Sequence, residues 1–308
     1  MEINIERHQH NRCSRYAKPF LKWAGGKTQV LDNIRAKYPS ALGKSVTKYA
    51  EPFVGGGAVL FDVLNNYNLS EIYISDTNRE LIHTYIIVRD NCDRLILLLK
   101  DLEYMYLPAD EEKRKEIYYF NRNRFNALKI SGEYSQELAA LFIFLNRTCF
   151  NGLYRVNSVG DFNVPIGKYK NPRICDADNI KAASEKLQNA SIICKGYQES
   201  DSFIDERTLA YFDPPYRPLA GSPNFTAYTR DGFEDNEQIE LARFIGMVSA
   251  RGAYVIASNS DPKNANEADS FFDSIYSGYN ISRIGASRRI NSAVGGRGKL
   301  NELLITNF

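Results

Sequence analysis

The feature that most constrains this chain of 308 residues is an apolar run that stops at two consecutive prolines. The run covers residues 209–212, and Asp213, Pro214, Pro215 and Tyr216 follow it directly. Proline fixes φ and has no N–H to donate to a neighbouring strand, so a strand formed by the run ends there. Asp213 is therefore predicted at the carboxyl end of a strand, the edge at which open α/β sheets bind their ligands.

The turn after this strand carries groups that suit an exocyclic amine on a planar ring. The Asp213 carboxylate and the Pro214 carbonyl can each accept one N–H, and Tyr216 can stack on the ring. With both hydrogens engaged away from the ring plane, the nitrogen lone pair is less delocalised and becomes nucleophilic. The alternative is a proline loop in which Asp213 caps a turn, as most Asp-Pro pairs do. The tetrapeptide alone leaves both readings open.

A strand–turn–helix pattern lies upstream. The turn is entered by Glu51, Pro52 and Phe53 and is formed by Gly55, Gly56 and Gly57. Such a turn brings backbone N–H groups close to a ligand. Asp76 ends the next apolar run, about 20 positions after the glycines, which is a spacing that suits ribose hydroxyls. The glycines do not spell G-x-G-x-x-G, so the pattern favours an adenosine ligand without a pyrophosphate, such as S-adenosylmethionine. An ordinary glycine turn is the alternative.

Composition indicates a globular protein with reduced thiols. Hydrophobic residues make up 44% and charged residues 25%, which is ordinary for a soluble protein with a sizeable core. No apolar run approaches the length of a membrane span, and no apolar signal segment begins the chain. The five cysteines are widely spaced without a C-x-x-C pair, and the histidines suggest no ligand set. We therefore expect a cytoplasmic protein without disulfides, a metal or a membrane partner.

The basic residues are grouped, although the net charge is only +2. Three stretches rich in Lys and Arg cover residues 7–31, 147–173 and 281–300, and Asp161 is the one acid among them. A charge run is usually solvated surface. Three such stretches in a near-neutral chain are better explained by a polyanion that lies across one face.

The hydrophobic pattern predicts one α/β domain with an insertion. Strand and helix alternate over 47–89, and the alternation resumes with strands at 191–194, 208–212 and 253–258 and a helix over 235–250. Late strands are expected at 272–275, 281–284 and 303–306. Between the two parts lie helical patterns at 95–99, 114–128 and 137–145, then a turn-rich β-hairpin at 150–169. We predict a flexible basic tail over 1–18, a catalytic domain over 19–79 and 173–308, and an inserted subdomain over 80–172.

Taken together, these segments resemble the Dam family of DNA adenine-N6 methyltransferases, specifically its GATC-recognising branch, from about Pro19 to Phe308. The matching motifs, in the family's order, are PFLKWAGGK (19–27), EPFVGGG (51–57), NGLYR (151–155), FNVP (162–165), GKY (167–169), DPPY (213–216) and NFTAY (224–228). The resemblance implies an α/β fold with a Rossmann-like mixed sheet, helices on both faces, and a helical and β-hairpin subdomain that recognises the DNA target.

The resemblance also implies a set of residues around S-adenosylmethionine. They are Trp23, Lys27, Glu51, Pro52, Phe53, Gly55, Gly57, Asp76, Tyr197 and Asp213. Trp23 is expected to pack on the adenosyl ring or near the sulfonium, with a core position as the alternative. Lys27 is expected to meet the methionine carboxylate. Some relatives carry Asp at the position of Tyr197, so the role of that residue stays open. Asp213, Pro214, Pro215 and Tyr216 are the implied catalytic residues.

For DNA, the resemblance implies that the hairpin enters the major groove of a duplex containing GATC. Arg155 would form a bidentate contact with guanine, Leu153 and Pro165 would touch thymine methyl groups, and Lys22 would reach the outer guanine. Phe150 and Asn151 would wedge beside the displaced adenine. Phosphate contacts are assigned to Arg288, Arg289, Arg297 and Lys299. The alternatives are core positions for Phe150 and Leu153 and an ion pair between Arg155 and Asp161.

Two other functions stay open at this stage. One is methyl transfer to another planar amine or amide, such as RNA adenine or a protein glutamine, which Asp213 and Arg155 disfavour. The other is a catalytically silent DNA-binding regulator, which the intact residues of the two turns disfavour. Residues 221–232 are expected to close over the base as a lid. We expect a monomer or weak dimer, and a separate cognate restriction endonuclease is left open as a partner.

Overall fold

A computed structural model describes residues 16–217, 233–287 and 299–308. Its strands are β1 (Lys48–Pro52), β2 (Glu71–Ser75), β3 (Ala190–Ile193), β4 (Thr208–Phe212), β5 (Tyr254–Ser260), β6 (Asn280–Ser287) and β7 (Lys299–Thr306). They form one seven-stranded sheet in the order β3-β2-β1-β4-β5-β7-β6. Strand β7 is antiparallel to β5 and β6, and the other neighbours are parallel. The predicted Rossmann-like mixed sheet is confirmed.

The helices lie on both faces of this sheet. They are α1 (Leu31–Arg35), α2 (Ala58–Asn66), α3 (Arg79–Asp90), α4 (Cys92–Tyr106), α5 (Glu111–Ser131), α6 (Gln136–Thr148), α7 (Ala177–Leu187), α8 (Asp235–Ala250) and α9 (Phe271–Ile275). Side chains alternate across a strand, so Tyr49 faces the cluster packed by α2, α3 and α7, and Ala50 faces the cluster packed by α8. Strands β1 and β4 are buried at every position, as expected in the middle of a parallel sheet.

One predicted strand is wrong. Residues 272–275 lie in helix α9, where the Ser274 N–H bonds the Ser270 carbonyl at 2.9 Å and Phe272 is buried. A segment of four residues with apolar side chains only at its two ends, Phe272 and Ile275, is compatible with a strand and with one turn of helix, and periodicity does not separate the two at that length. Helices α1 and α7 were not predicted.

The inserted helices share the core of the sheet. Side chains of α4, α5 and α6 belong to the same buried cluster as those of α2 and α3. Helix α6 is buried at ten of its thirteen positions, which explains its nearly continuous apolar sequence. The predicted subdomain boundaries at 80 and 172 therefore do not coincide with a break in the core, and the division into domains stays a prediction.

The chain after α6 turns back on itself as the hairpin pattern predicts. Two isolated antiparallel bridges, Cys149↔Ile166 and Val156↔Phe162, hold the two arms, and the Asn157 N–H bonds the Asp161 carbonyl at 2.9 Å across the turn. We call residues 149–169 the recognition hairpin. In the three described ranges, no helix is both long and apolar enough to cross a membrane.

Candidate active site

The glycine turn and the Asp-Pro-Pro-Tyr turn lie side by side because their strands are neighbours. Strand β1 pairs with β4 in parallel, with Ala50 opposite Ala210, so both strands end at the same edge of the sheet. Strand β4 ends at Phe212, as the two prolines require. Asp213 therefore lies next to the end of β1, at the edge where this class of sheet binds ligands.

Both carboxylate oxygens of Asp213 are held by neighbouring side chains. Ser258 Oγ donates to Asp213 Oδ1 at 2.8 Å. Lys27 Nζ lies 2.7 Å from Asp213 Oδ2, and the two side chains are only 5% and 19% exposed. Hydrogen bonds to charged groups are short and strong, and a largely dehydrated pair holds its geometry closely. The carboxylate is thus ionised and oriented.

The Lys27 side chain contacts the Asp-Pro-Pro-Tyr turn, and its expected contact with the methionine carboxylate stays a prediction. Its ammonium pairs with Asp213, donates to the Gly25 carbonyl at 2.6 Å, and lies 4.7 Å from the centre of the Tyr216 ring. Sequence analysis assigned this side chain to the methionine carboxylate of the cofactor. The contact with Asp213 joins residues far apart in the chain, and local spacing gave no sign of it.

The last two residues of the Asp-Pro-Pro-Tyr turn are held by hydrogen bonds. Gln238 on α8 donates to the Pro215 carbonyl at 3.0 Å, and the Tyr216 hydroxyl donates to Glu302 on β7 at 2.9 Å. Burial raises the pKa of Tyr216 well above its ordinary value, and the Asp213 carboxylate adds to that rise. The Pro214 carbonyl accepts no hydrogen bond from any residue that the structure describes. The turn therefore presents an oriented carboxylate beside a carbonyl that can accept an N–H.

Asp76 contacts the glycine turn directly. Its Oδ2 accepts the Gly55 N–H at 3.2 Å, and its Oδ1 accepts the Asn78 N–H at 2.9 Å. Burial raises the pKa of Asp76, and these backbone hydrogen bonds oppose the rise. The predicted acidic residue and the predicted glycines thus lie together at the ends of β1 and β2.

Glu51 is buried at the end of β1, with 2% of its surface exposed. The Tyr49 hydroxyl donates to Glu51 Oε2 at 2.6 Å. Burial raises the pKa of Glu51 to about 8, the hydrogen bond from Tyr49 opposes that rise, and the nearby Asp213 carboxylate adds to it. The Glu51 carboxyl can therefore hold a proton near neutral pH.

Aromatic rings flank the glycine turn on two sides. Phe53 has φ +112°, a rare backbone conformation for a bulky residue, and its ring stacks on Tyr197 with centroids 5.7 Å apart. Phe233 meets Phe53 edge to face at 5.8 Å and was not singled out from the sequence. On the other side, Trp23 is half-buried and stacks on Tyr154 at 6.0 Å. Flat apolar surface of this kind suits an adenosyl ring.

The recognition hairpin brings together the residues predicted to read DNA. Phe150 is 51% exposed, and Asn151, Arg155 and Pro165 are exposed as well. Lys22 joins them from the amino-terminal segment. Its backbone N–H donates to Asn146 Oδ1 at 2.8 Å, and the Asn146 amide donates to the Lys22 carbonyl at 2.8 Å. The Lys22 ammonium lies 4.1 Å above the Tyr169 ring. Leu153 is half-buried against the core.

Two of the alternatives for the hairpin are resolved by its contacts. Arg155 Nε donates to Asn163 Oδ1 at 2.8 Å, so its described hydrogen bond does not go to Asp161. Phe150 is not a core residue. The exposed guanidinium of Arg155 and the exposed ring of Phe150 both remain available to a ligand.

Several basic residues in the three stretches have structural partners instead. Arg283 bonds Asp261 and Asp273, and the half-buried Arg147 donates to the Phe20 carbonyl at 2.8 Å. Arg173 pairs with Asp176 at 2.8 Å. These residues therefore have partners within the chain, and the polyanion across one face stays a prediction.

Some predicted residues lie outside the described ranges. These are Arg288, Arg289, Arg297 and the expected lid at 221–232; Lys299 is described only by its backbone in β7. Among the residues that the structure does describe, no group of three or more His, Cys, Asp or Glu side chains is placed to hold a metal ion.

Ser258, Gln238 and Glu302 contact the Asp-Pro-Pro-Tyr turn and were not singled out from the sequence. Ser258 lies in β5, the strand beside β4, with Ala257 opposite Phe212. The polar run at 258–261 at the end of an apolar strand was the available signal, because a neighbouring parallel strand ends at the same edge of the sheet.

Comparison with known proteins gives one family and several full-length relatives. A family model for D12 class N6 adenine-specific DNA methyltransferases matches residues 23–290. The type II methyltransferase M.MjaIII of Methanocaldococcus jannaschii is 47% identical, over 94% of this chain and 99% of its own. M1.LlaDCHI of Lactococcus lactis is 36% identical over 94% and 95%, and the DNA adenine methylase of Escherichia coli K12 is 36% identical over 93% and 94%.

Proposed function

We propose, since this chain belongs to the D12 class of N6 adenine-specific DNA methyltransferases, that it methylates the adenine of duplex 5′-GATC-3′ with S-adenosylmethionine as the methyl donor. The observation that supports the chemistry most directly is the turn after β4. There Asp213 is held on both oxygens while the adjacent Pro214 carbonyl faces no donor in the described part of the chain. Two acceptors side by side match the two hydrogens of an amino group.

The proposed reaction is a direct displacement, in which the adenine nitrogen bonds the methyl carbon as the sulfur–methyl bond breaks, the neutral thioether leaves and the amine gives up one proton to solvent. S-adenosylmethionine, when bound, supplies a methyl group activated by its sulfonium. Asp213 and the Pro214 carbonyl each accept one N–H of the adenine amine, which turns the nitrogen lone pair toward the methyl carbon. The Tyr216 ring stacks on the base, and Gln238 and Glu302 keep the turn in place. Catalysis then comes mainly from positioning and from fixed dipoles.

We propose that Asp76, the glycine turn and the aromatic pair of Phe53 and Tyr197 bind the adenosyl part of the donor. Three features of the geometry support this. Asp76 and Gly55 are in contact, the turn lies at the ends of β1 and β2, and flat rings line it. A carboxylate at this position suits ribose hydroxyls, and the turn brings backbone close to the ligand.

The target adenine has to leave the base stack before it can reach Asp213. Unstacking costs a few kcal/mol, which pocket contacts and an inserted side chain offset. The exposed Phe150 and Asn151 on the recognition hairpin are the proposed wedge. Arg155, exposed on the same hairpin, is the proposed reader of guanine, the base that Arg contacts most often. The GATC assignment rests on the motifs NGLYR and FNVP and on the named adenine methylase relatives.

The decisive experiment uses plasmid DNA that lacks adenine methylation. The plasmid is incubated with the protein and S-adenosylmethionine that carries a radiolabelled methyl group. It is then digested with two nucleases: methylation of GATC blocks the first and is required by the second. We expect resistance to the first and cleavage by the second. Radiolabel in DNA with unchanged sensitivity to both nucleases would show that the recognition sequence is not GATC. Radiolabel in RNA or protein but not in DNA would contradict the proposal.

Asp213→Ala tests the proposed chemistry. We expect it to abolish methyl transfer while DNA and donor binding stay close to those of the parent protein. Asp205→Ala is a matched control, because Asp205 also pairs with a buried lysine, Lys48, at 3.0 Å, but lies before β4 and away from the site. Near-parental transfer by Asp213→Ala would refute the role given to this carboxylate.

A further inference from the structure

Two buried hydroxyl groups, those of Tyr211 and Ser258, form a chain of hydrogen bonds that ends at the Asp213 carboxylate. Tyr211 Oη lies 3.0 Å from Ser258 Oγ, which lies 2.8 Å from Asp213 Oδ1. Tyr211 and Ser258 are each 1% exposed. The sheet sets this arrangement, because Phe212 on β4 lies opposite Ala257 on β5, so the next residues of the two strands meet at the same edge.

The direction of these hydrogen bonds follows from their proton count. A hydroxyl has one proton and two lone pairs, whereas an ionised carboxylate only accepts. Asp213 is ionised in its pair with Lys27, so Ser258 gives its proton to Asp213. Ser258 then has only lone pairs to offer Tyr211, and the phenol must donate. The chain therefore runs Tyr211 to Ser258 to Asp213 with a single polarity.

This chain controls the rotation of the carboxylate. Lys27 holds Oδ2 and Ser258 holds Oδ1, so the Asp213 side chain has one orientation about its last bond. The lone pairs that remain on its oxygens are aimed in one direction. Without the Ser258 hydroxyl, Oδ1 would lose its donor and the carboxylate could swing toward Lys27. A small displacement of an acceptor changes where an amine lone pair points, and misplacement by about 1 Å can cost about a hundredfold in rate.

We propose that Ser258 is a positioning residue for methyl transfer to adenine, and that Tyr211 affects the reaction only through Ser258. The inference rests on the proposed role of Asp213 and extends it to two residues that never touch the base. It predicts that the two hydroxyls act as one unit, whereas independent structural roles predict separate, additive losses.

The test measures single-turnover methyl transfer at saturating S-adenosylmethionine and duplex DNA. We expect Ser258→Ala to lower the rate about 10- to 100-fold and to leave the dissociation constants for donor and DNA within about threefold. Ser258→Thr keeps the hydroxyl and should restore most of the rate. Ser184→Ala is the control for loss of a buried serine hydrogen bond, since Ser184 on α7 donates its Oγ–H to the Arg89 carbonyl at 3.0 Å. This substitution should leave the rate unchanged.

The double variant separates this inference from simpler explanations. Tyr211→Phe alone should lower the rate about 3- to 10-fold, and adding it to Ser258→Ala should have no further effect, because coupled partners are not additive. Multiplied losses in the double variant would overturn the inference, as would a Ser258→Ala rate within twofold of the parent. If Ser258→Ala fails to fold, a parental rate for Tyr211→Phe overturns it. Near-parental transfer by Asp213→Ala would instead refute the role of Asp213 on which the inference rests, and absence of methyl transfer to GATC duplex by the parent protein would refute the proposed function itself.

Discussion

Gly57→Ala offers the sharpest test of the glycine turn, because two separate costs can be worked from the structure. Gly57 has φ +71°, and a Cβ built there lies 2.5 Å from the hydroxyl of the buried Tyr85. That hydroxyl donates to the Gly55 carbonyl at 3.1 Å, so it cannot move without breaking a bond to the same turn. Gly132 has the same φ, and beyond its own helix and chain neighbours no described residue places an atom within 4 Å of its Cβ position.

The expected magnitudes follow from this comparison. A left-handed conformation costs an alanine about 1–2 kcal/mol, and this is the whole expected loss for Gly132→Ala. Gly57→Ala adds an overpacking cost of about 1–3 kcal/mol as Tyr85 is displaced, so its total is about 2–5 kcal/mol. Removing the hydroxyl with Tyr85→Phe in the Gly57→Ala background should recover about 1–3 kcal/mol, because the atom that clashes is gone.

Urea unfolding of the parent protein and the three variants at one pH measures these differences in free energy of unfolding. Calorimetric titration with S-adenosylmethionine measures donor binding by the same proteins. We expect Gly57→Ala to bind the donor more weakly and Gly132→Ala to bind it as the parent does. Equal stability losses for Gly57→Ala and Gly132→Ala would show that the approach of Tyr85 is unimportant. If Tyr85→Phe in the Gly57→Ala background recovers no stability, the clash with the Tyr85 hydroxyl is likewise not the cause of the loss.

Two further predictions concern charge. Burial raises the pKa of Glu51 from an ordinary 4.5 to about 8, so the stability linked to its bound proton is fully present below pH 4.5 and is lost as pH rises through 8. Glu51→Gln should flatten that part of the stability curve measured by urea unfolding, and Glu71→Gln, at the exposed first residue of β2, should not. Arg155→Ala should reduce discrimination at one guanine by about 1–3 kcal/mol in competition binding with singly substituted GATC duplexes, and Arg173→Ala should not. Equal weakening by Arg155→Ala on every duplex would mark a phosphate contact instead.

Much of the sheet could be predicted from local pattern. The prolines at 214 and 215 predicted where β4 ends, and the apolar runs predicted the existence and order of β1, β2 and the helices α4 to α6. Helix α4 spans Cys92–Tyr106 and is much longer than the predicted segment 95–99. These features depend on φ, on missing donors and on side-chain period, which act over a few residues. The strand predicted at 272–275 was wrong because a segment of four residues does not distinguish a strand from a helical turn.

The sequence by itself determined that a carboxylate ends a buried strand, that a glycine turn and an acidic residue accompany it, and that an exposed basic hairpin is inserted between the two halves. Only the tertiary structure decided what holds the carboxylate: Lys27 from the amino-terminal segment, Ser258 from β5 and, through Tyr216, Glu302 from β7. The physical reason is one of range. Periodicity and turn chemistry reside in neighbouring residues, whereas the register of adjacent strands and the pairing of distant charges exist only after the chain has folded.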